Sequence, residues 1–282
     1  MISCALSLAR LLCDSGPVKE APLSTADRLL TMLDLFTLDR PDWSVDEAAE
    51  AVGMPTSTVY RYFNSLSRSG LVATVGGGRY ILGPSIIRYD RQLRLTDPLV
   101  RSARGEMDRL AATVEGKGVV FLCRLFGDQV MCVSRASVGN TPFTISYERG
   151  RLMPLFAGSA SRVILANLPT AKINALYRKY AEKFEQHGLG NTLPAVRETL
   201  KVVRNDNCFV TVGEVDPGMR GISVPVMASG KILGSLTVAG PRQGFTQPQI
   251  ARVLEQLHEA AQRTVEELHH WISHTATAVR NS

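Results

Sequence analysis

The chain has 282 residues, 45% of them hydrophobic and 21% charged, which suits two domains with apolar cores and excludes an intrinsically disordered protein. No apolar run approaches the roughly 18 residues a membrane helix needs, so no membrane partner is expected. With 32 Lys and Arg against 26 Asp and Glu, the net charge of +6 leans toward an anionic partner. It does not choose between nucleic acid, membrane surface and acidic ligand.

Five cysteines, Cys4, Cys13, Cys123, Cys132 and Cys208, are odd in number and form no CxxC pair. That argues against a zinc ribbon or a disulfide framework and for reduced thiols in a cytoplasm. Met1 to Cys13 is mildly apolar, but it lacks a basic start and Arg10 interrupts it. Residues 1–23 therefore read as a flexible extension from an upstream start codon, not a secretory signal.

Ser24 and Asp27 have the spacing of a helix N-cap with an acid three residues on, and Leu29, Leu30, Leu33 and Phe36 follow at helical intervals. A break falls at residues 39–42. Ser44 and Glu47 repeat the capping pattern before a short helix that Gly53-Met54-Pro55 stops. A third helix, capped by Thr56 or Ser57, carries Val59, Tyr60, Phe63 and Leu66 and ends at Gly70. Strand-like runs over 71–75 and 79–82 flank Gly76-Gly77-Gly78, a hairpin signal. Three short helices and then a hairpin describe a winged helix-turn-helix over 24–83.

A connecting helix is expected over 84–97, broken at Asp97-Pro98. Beyond it the spacing predicts a helix, a hairpin over 119–133, a strand over 143–147, and helices over 158–168, 170–184 and 193–203. Strands over 209–215, 222–227 and 232–239 and a closing helix over 246–271 complete the pattern. This predicts an α+β domain over 98–274, an antiparallel sheet covered by helices, with a flexible tail over 275–282.

Charge divides sharply along the first part of the chain. From Ser24 to Pro55 acids dominate, whereas from Thr56 to Leu95 six arginines face one acid, Asp90. The basic stretch begins at the helix that a helix-turn-helix lays in the major groove. On that helix Thr56, Ser57, Thr58, Tyr60, Arg61 and Asn64 are the candidate contacts to phosphates and base edges, with Arg79 at the tip of the wing.

The stretch from Ala48 to Arg61, continuing through Leu66, Gly70-Leu71-Val72 and Tyr80-Ile81-Leu82-Gly83, resembles the IclR family of bacterial transcriptional regulators. A second match, at Gly218, Pro225-Val226 and residues 234–241, follows in family order. The resemblance implies a winged helix, a linker helix and a GAF-like effector-binding domain. It also implies dimers, sometimes paired into tetramers, on double-stranded palindromic operators.

Small residues where a loop enters a helix, Gly158, Ser159 and Ala160, expose backbone N–H groups to an anion. A small organic anion is the expected effector. The family's pattern implies His, Gly and Lys where this chain has Phe156, Ser161 and Arg162. Glu214 alone remains of a frequent acidic pair, and Gly221 stands where many relatives carry Cys. Ser235 and Thr237 share one face of a strand, with Ser223 on its neighbour, and supply hydroxyls for a carboxylate. Phe121, Met153, Leu155 and Phe156 are the expected apolar wall, which suits an aromatic acid controlling a catabolic operon.

No HExxH, GxSxG or phosphate-loop motif appears, and His270 and His274 have no third ligand nearby, so neither enzyme, metal nor cofactor is expected. The alternative is a GAF-fold redox sensor or thiol-dependent enzyme working through Cys123 and Cys132.

Overall fold

The structure, a computed structural model, describes residues 24–280, with side chains to residue 274. The expected extension over 1–23 and the last two residues of the expected tail lie outside the described residues. The chain divides after Asp97 into two compact units.

In the first unit, α1 (Thr25–Thr31) opens with a reciprocal box: Asp27 N–H donates to the Ser24 hydroxyl and Ser24 N–H to the Asp27 carboxylate. A 3-10 turn over Met32–Leu35 follows, and its Leu35 carbonyl accepts from Trp43 Nε1 at 2.8 Å. The same kind of box, Ser44 with Glu47, starts α2 (Val45–Val52), which Gly53 ends at φ 63°. α3 spans Thr56–Arg68, and β2 (Val72–Val75) and β3 (Arg79–Leu82) form the hairpin.

Three expectations are corrected here. The break at 39–42 runs into a strand, β1 (Asp42–Ser44), paired antiparallel with β3. Three residues are too few for an alternating signal; the open edge of β3 recruits them. Pro55, extended at φ −59° and ψ 135°, is the N-cap of α3, so Thr56 and Ser57 are already helical and cap nothing. Tyr62 rather than Tyr60 points inward, because Val59, Tyr62, Phe63 and Leu66 follow the i, i+3, i+4, i+7 stripe and Tyr60 falls off it, 53% exposed.

Arg79 ties this unit together. Its guanidinium pairs with Asp42 on β1 and, at 3.2 Å, with Glu47 on α2, while Arg40 reaches Glu47 at 3.4 Å. The Ser44 backbone N–H, and then Arg79, hold the Glu47 carboxyl down at about 2 against an ordinary 4.5. A carboxyl depressed on folding stabilises above its unfolded value, and that contribution disappears as pH falls through the folded one. The melting temperature of the first unit is therefore expected to fall between about pH 4.5 and 2, and Glu47→Gln to make the fall shallower. Identical melting curves for the two proteins across that range would contradict this.

α4 (Ser85–Thr96) leaves the wing with its Ser85 hydroxyl on the Ser69 carbonyl at 2.7 Å. It buries no residue within its unit, and Ile87 and Leu93 are 74% and 58% exposed.

The second unit begins with α5 (Pro98–Thr113) and the hairpin β4 (Val119–Phe126) and β5 (Gln129–Ala136). A short β6 (Leu152–Pro154) precedes α6 (Ser159–Ala166), α7 (Thr170–Gln186) and α8 (Leu193–Asp206). The strands β7 (Phe209–Val212), β8 (Met219–Ala228) and β9 (Lys231–Pro241) and the helix α9 (Gln247–Arg280) complete it. α9 continues past the expected end near Trp271 and through most of the expected tail.

All six strands form one antiparallel sheet in the order β6-β5-β4-β9-β8-β7. Alternation along β4 sends Val119, Phe121 and Cys123 into a core with α6, α7 and α8, and Val120 and Leu122 into a second core with α5 and α9. The strand expected over 143–147 is absent. Ile145 and Tyr147 are buried, but the edge of β5 is taken by β6, and only one bridge, Cys132 to Arg149, forms beside it. Burial rather than pairing produced the alternating pattern. Among the described residues, no helix is long and apolar enough to cross a membrane.

Candidate functional site

The outer side of α3 carries the polar groups expected there. Thr56, Ser57, Tyr60 and Arg61 are exposed, and Thr58 and Asn64 half-buried. With proline at the N-cap, no side chain caps the first turn, which leaves backbone N–H groups open to a phosphate. The rigid inner stripe of Val59, Phe63 and Leu66 fixes this face outward. Arg79 is different: Asp42 and Glu47 hold it inside the unit's own ion cluster, so it does not stand free at the wing tip as expected.

In the second unit, a pocket lies where α6 meets β7, β8 and β9. Gly158, at φ 83°, turns the chain into α6, and a Cβ there would come within 2.7 Å of the Tyr147 hydroxyl. Gly158, Ser159, Ala160, Glu214 and Thr237 line the pocket, as does Phe121. Ser223 stands behind them: its hydroxyl bonds Ser159 at 2.8 Å and Thr237 at 2.7 Å, forming a chain of three hydroxyls. Gly221 makes room for that chain, since a Cβ would sit 2.4 Å from the Ser159 Oγ.

The rest of the expected wall lies elsewhere. Met153, Leu155 and Phe156 do not line the pocket; they are buried in the same core as Phe121 and Tyr147, and Phe156 packs on Phe184 of α7 with ring centroids 4.9 Å apart. Ser235 is fully buried opposite Cys123 and its hydroxyl has no partner. The apolar wall is instead Phe121 stacked on Tyr147, 5.6 Å between centroids, with Ile145 beside them. Burial pushes the Tyr147 phenol well above its usual range, so it stays neutral.

Sequence reasoning also missed Thr211, Asp216 and Arg220 in the lining. Thr211 could have been found by its alternation with Val210 and Val212, while Asp216 and Arg220 carry no local signal. The pocket is half open to solvent, and its inner volume is only about 30 Å³.

At the anion-favouring start of α6 stands a carboxylate of the chain itself. Gly158 N–H donates to Glu214 Oε2 at 3.0 Å, and Arg162 Nη2 lies 3.4 Å from the same oxygen. Arg162 also donates to the His187 carbonyl at 2.6 Å.

Cys123 and Cys132 are cross-strand partners, both fully buried. Hydrogen bonding with Cys132, and then burial, push the Cys123 thiol up and keep it protonated. Replacing both with alanine is expected to leave operator release unchanged in gel shifts with and without peroxide. Loss of a peroxide response present in the parent would reverse that reading.

A family model described as bacterial transcriptional regulator IclR, C-terminal, matches residues 95–265, and one for the IclR helix-turn-helix domain matches residues 25–76. The chain belongs to the IclR family of bacterial transcriptional regulators. Like its relatives, this IclR-family protein is a DNA-binding regulator built from a winged helix and a GAF-like domain. It is 24% identical to the transcriptional regulator KipR of Bacillus subtilis over 84% of this chain and 94% of that one. It is 21% identical to the Pca regulon regulatory protein of Pseudomonas putida, over 80% of this chain and 79% of that one. An IclR homologue from Microbacterium hydrocarbonoxydans, solved in complex with 4-hydroxybenzoate, superposes with a TM-score of 0.67 at 21% identity, covering 87% and 99% of the two chains.

Proposed function

We propose that this IclR-family regulator controls a catabolic operon, lays α3 in the major groove of its operator, and senses a small aromatic carboxylate in the pocket beside α6. The observation that carries the effector is the pairing of a stacked aromatic wall, Phe121 and Tyr147, with a hydroxyl row, Ser159, Ser223 and Thr237. A flat ring suits the first, and a carboxylate or phenol the second. Two relatives point the same way: one is named for the Pca regulon, and another was solved with 4-hydroxybenzoate.

On the operator, Thr56, Ser57, Thr58, Tyr60, Arg61 and Asn64 make the contacts. Arg79 acts indirectly, by holding β1, α2 and β3 in register behind α3. The apolar residues that α4 leaves exposed, Ile87 and Leu93, support a dimer, which a palindromic operator requires. The protein works in the cytoplasm, where the DNA is. Effector binding acts by favouring one arrangement of the paired heads, so the two ligands must weaken or strengthen each other reciprocally.

Footprinting on the upstream region of its own gene, with and without benzoate, 4-hydroxybenzoate, acetate and glyoxylate, tests this. A protected palindrome whose occupancy changes only with the aromatic acids is expected. Protection that responds only to the short aliphatic acids would overturn the effector assignment, and no protected site would overturn the operator.

A further inference from the structure

Glu214 lies where an acidic ligand would place its own carboxylate. Its Oε2 accepts from the Gly158 N–H at 3.0 Å, at the positive end of α6, and pairs with Arg162 at 3.4 Å. Arg162 is only 8% exposed, yet its Nε has no partner, so the cation at this seat is incompletely satisfied even with Glu214 in place. Glu214 itself is not locked in: its side chain is 31% exposed, beside the water into which it can swing. The segment that carries it runs between Gly213 and Gly218, at φ 71° and 75°, each with open space around it. Asp216 anchors the middle of that segment separately, through the Ser146 N–H at 2.9 Å.

We propose that Glu214 is a built-in occupant of the anion seat, which an effector carboxylate must displace, and that it thereby sets the threshold and charge selectivity of the response. The inference rests on the carboxylate reading above. Exchange of one carboxylate for another leaves the charge of the seat constant, whereas two carboxylates sharing Gly158 and Arg162 would repel. Apparent affinity is then the intrinsic affinity reduced by the fraction of molecules in which the seat is vacant. A neutral amide can accept from the same donors through its carbonyl oxygen but brings no charge to Arg162, so it gains less from the vacancy than a carboxylate does. The freed Glu214 side chain swings toward solvent while Asp216 keeps the segment on Ser146, and the room it leaves adds to a pocket now only about 30 Å³ in volume.

The test is calorimetric titration of the full chain and its Glu214→Ala and Glu214→Gln variants with benzoate, 4-hydroxybenzoate and benzamide. Melting and gel shifts check that each variant is folded. If Glu214 fills the seat nine-tenths of the time, Glu214→Ala binds the two carboxylates about tenfold more tightly. Glu214→Gln, which keeps the shape and loses the charge, gains less, and benzamide gains less from Glu214→Ala than either carboxylate does. Carboxylate binding to Glu214→Ala that is equal to or weaker than that of the parent overturns the displacement while leaving the acid-effector reading intact. Failure of both carboxylates to bind any of the three proteins, with operator binding preserved, overturns both.

Discussion

Arg61→Ala is expected to weaken operator binding by about 5- to 150-fold, the worth of one bidentate arginine–guanine contact, and to relax sequence preference at one position of each half-site. Arg61 is exposed on the outer side of α3, one residue before Tyr62 turns into the core, so its removal leaves the packing of Val59, Phe63 and Leu66 untouched. The melting temperature should therefore hold while affinity falls. Salt dependence separates the two ways in which Arg61 could act. A base contact costs affinity at every salt concentration and only on the specific site. A phosphate contact costs affinity on all DNA and lowers the slope of log affinity against log salt by about one. Anisotropy titrations on operator and scrambled duplexes at two salt concentrations read both. Unchanged affinity on both duplexes would remove α3 from the groove.

Phe63→Ala should abolish operator binding by unfolding the first unit while the second remains folded. Phe63 is fully buried, 4.7 Å from the Tyr80 ring and 6.1 Å from that of Phe36, so it joins α3, β3 and the turn after α1. Truncating a buried phenylalanine costs about 3–5 kcal/mol. A small domain has little more than that in total stability. Two transitions are expected in calorimetry of the parent, one for each compact unit. In the variant the transition of the first unit should be lost or fall far below 37 °C, and the other should not move. On the effector assignment proposed above, which places the pocket in the second unit, binding of 4-hydroxybenzoate should survive. Retained operator binding together with two unshifted transitions would show that this cluster does not hold the first unit together.

The contrast between Arg61 and Arg79 illustrates what a sequence can reveal. Both are arginines in the basic stretch, and both were expected on DNA. Arg61 sits on a helix whose apolar stripe was legible, so its outward direction followed from periodicity. Arg79 sits opposite Asp42 and Glu47, which come from two other elements, and that juxtaposition depends on a strand three residues long with no pattern of its own. Tyr60 and Tyr62 belong to the legible kind; a stricter reading of the same stripe would have chosen Tyr62.

The pocket divides in the same way. Gly158, Ser159 and Ala160 were readable because a helix start made of small residues has a local chemical meaning. Ser223 and Thr237 were readable because alternation places them on one face of adjacent strands. Met153, Leu155 and Phe156 were misplaced because apolarity says that a residue is buried but not against what. Phe156 packs on the rings of α7, and Tyr147, from a segment that looked like a strand, lines the pocket against Phe121.

By itself, then, the chain's order of residues determined the caps, the helical stripe of α3, the hairpins and the two-faced central strand, since each arises among neighbours a few positions apart. Only the folded molecule decided which acid meets Arg79, which rings line the pocket and that Glu214 rests at the start of α6. Those outcomes bring together groups tens of residues apart, and they depend on which long-range packing leaves the fewest buried charges and hydroxyls without a partner.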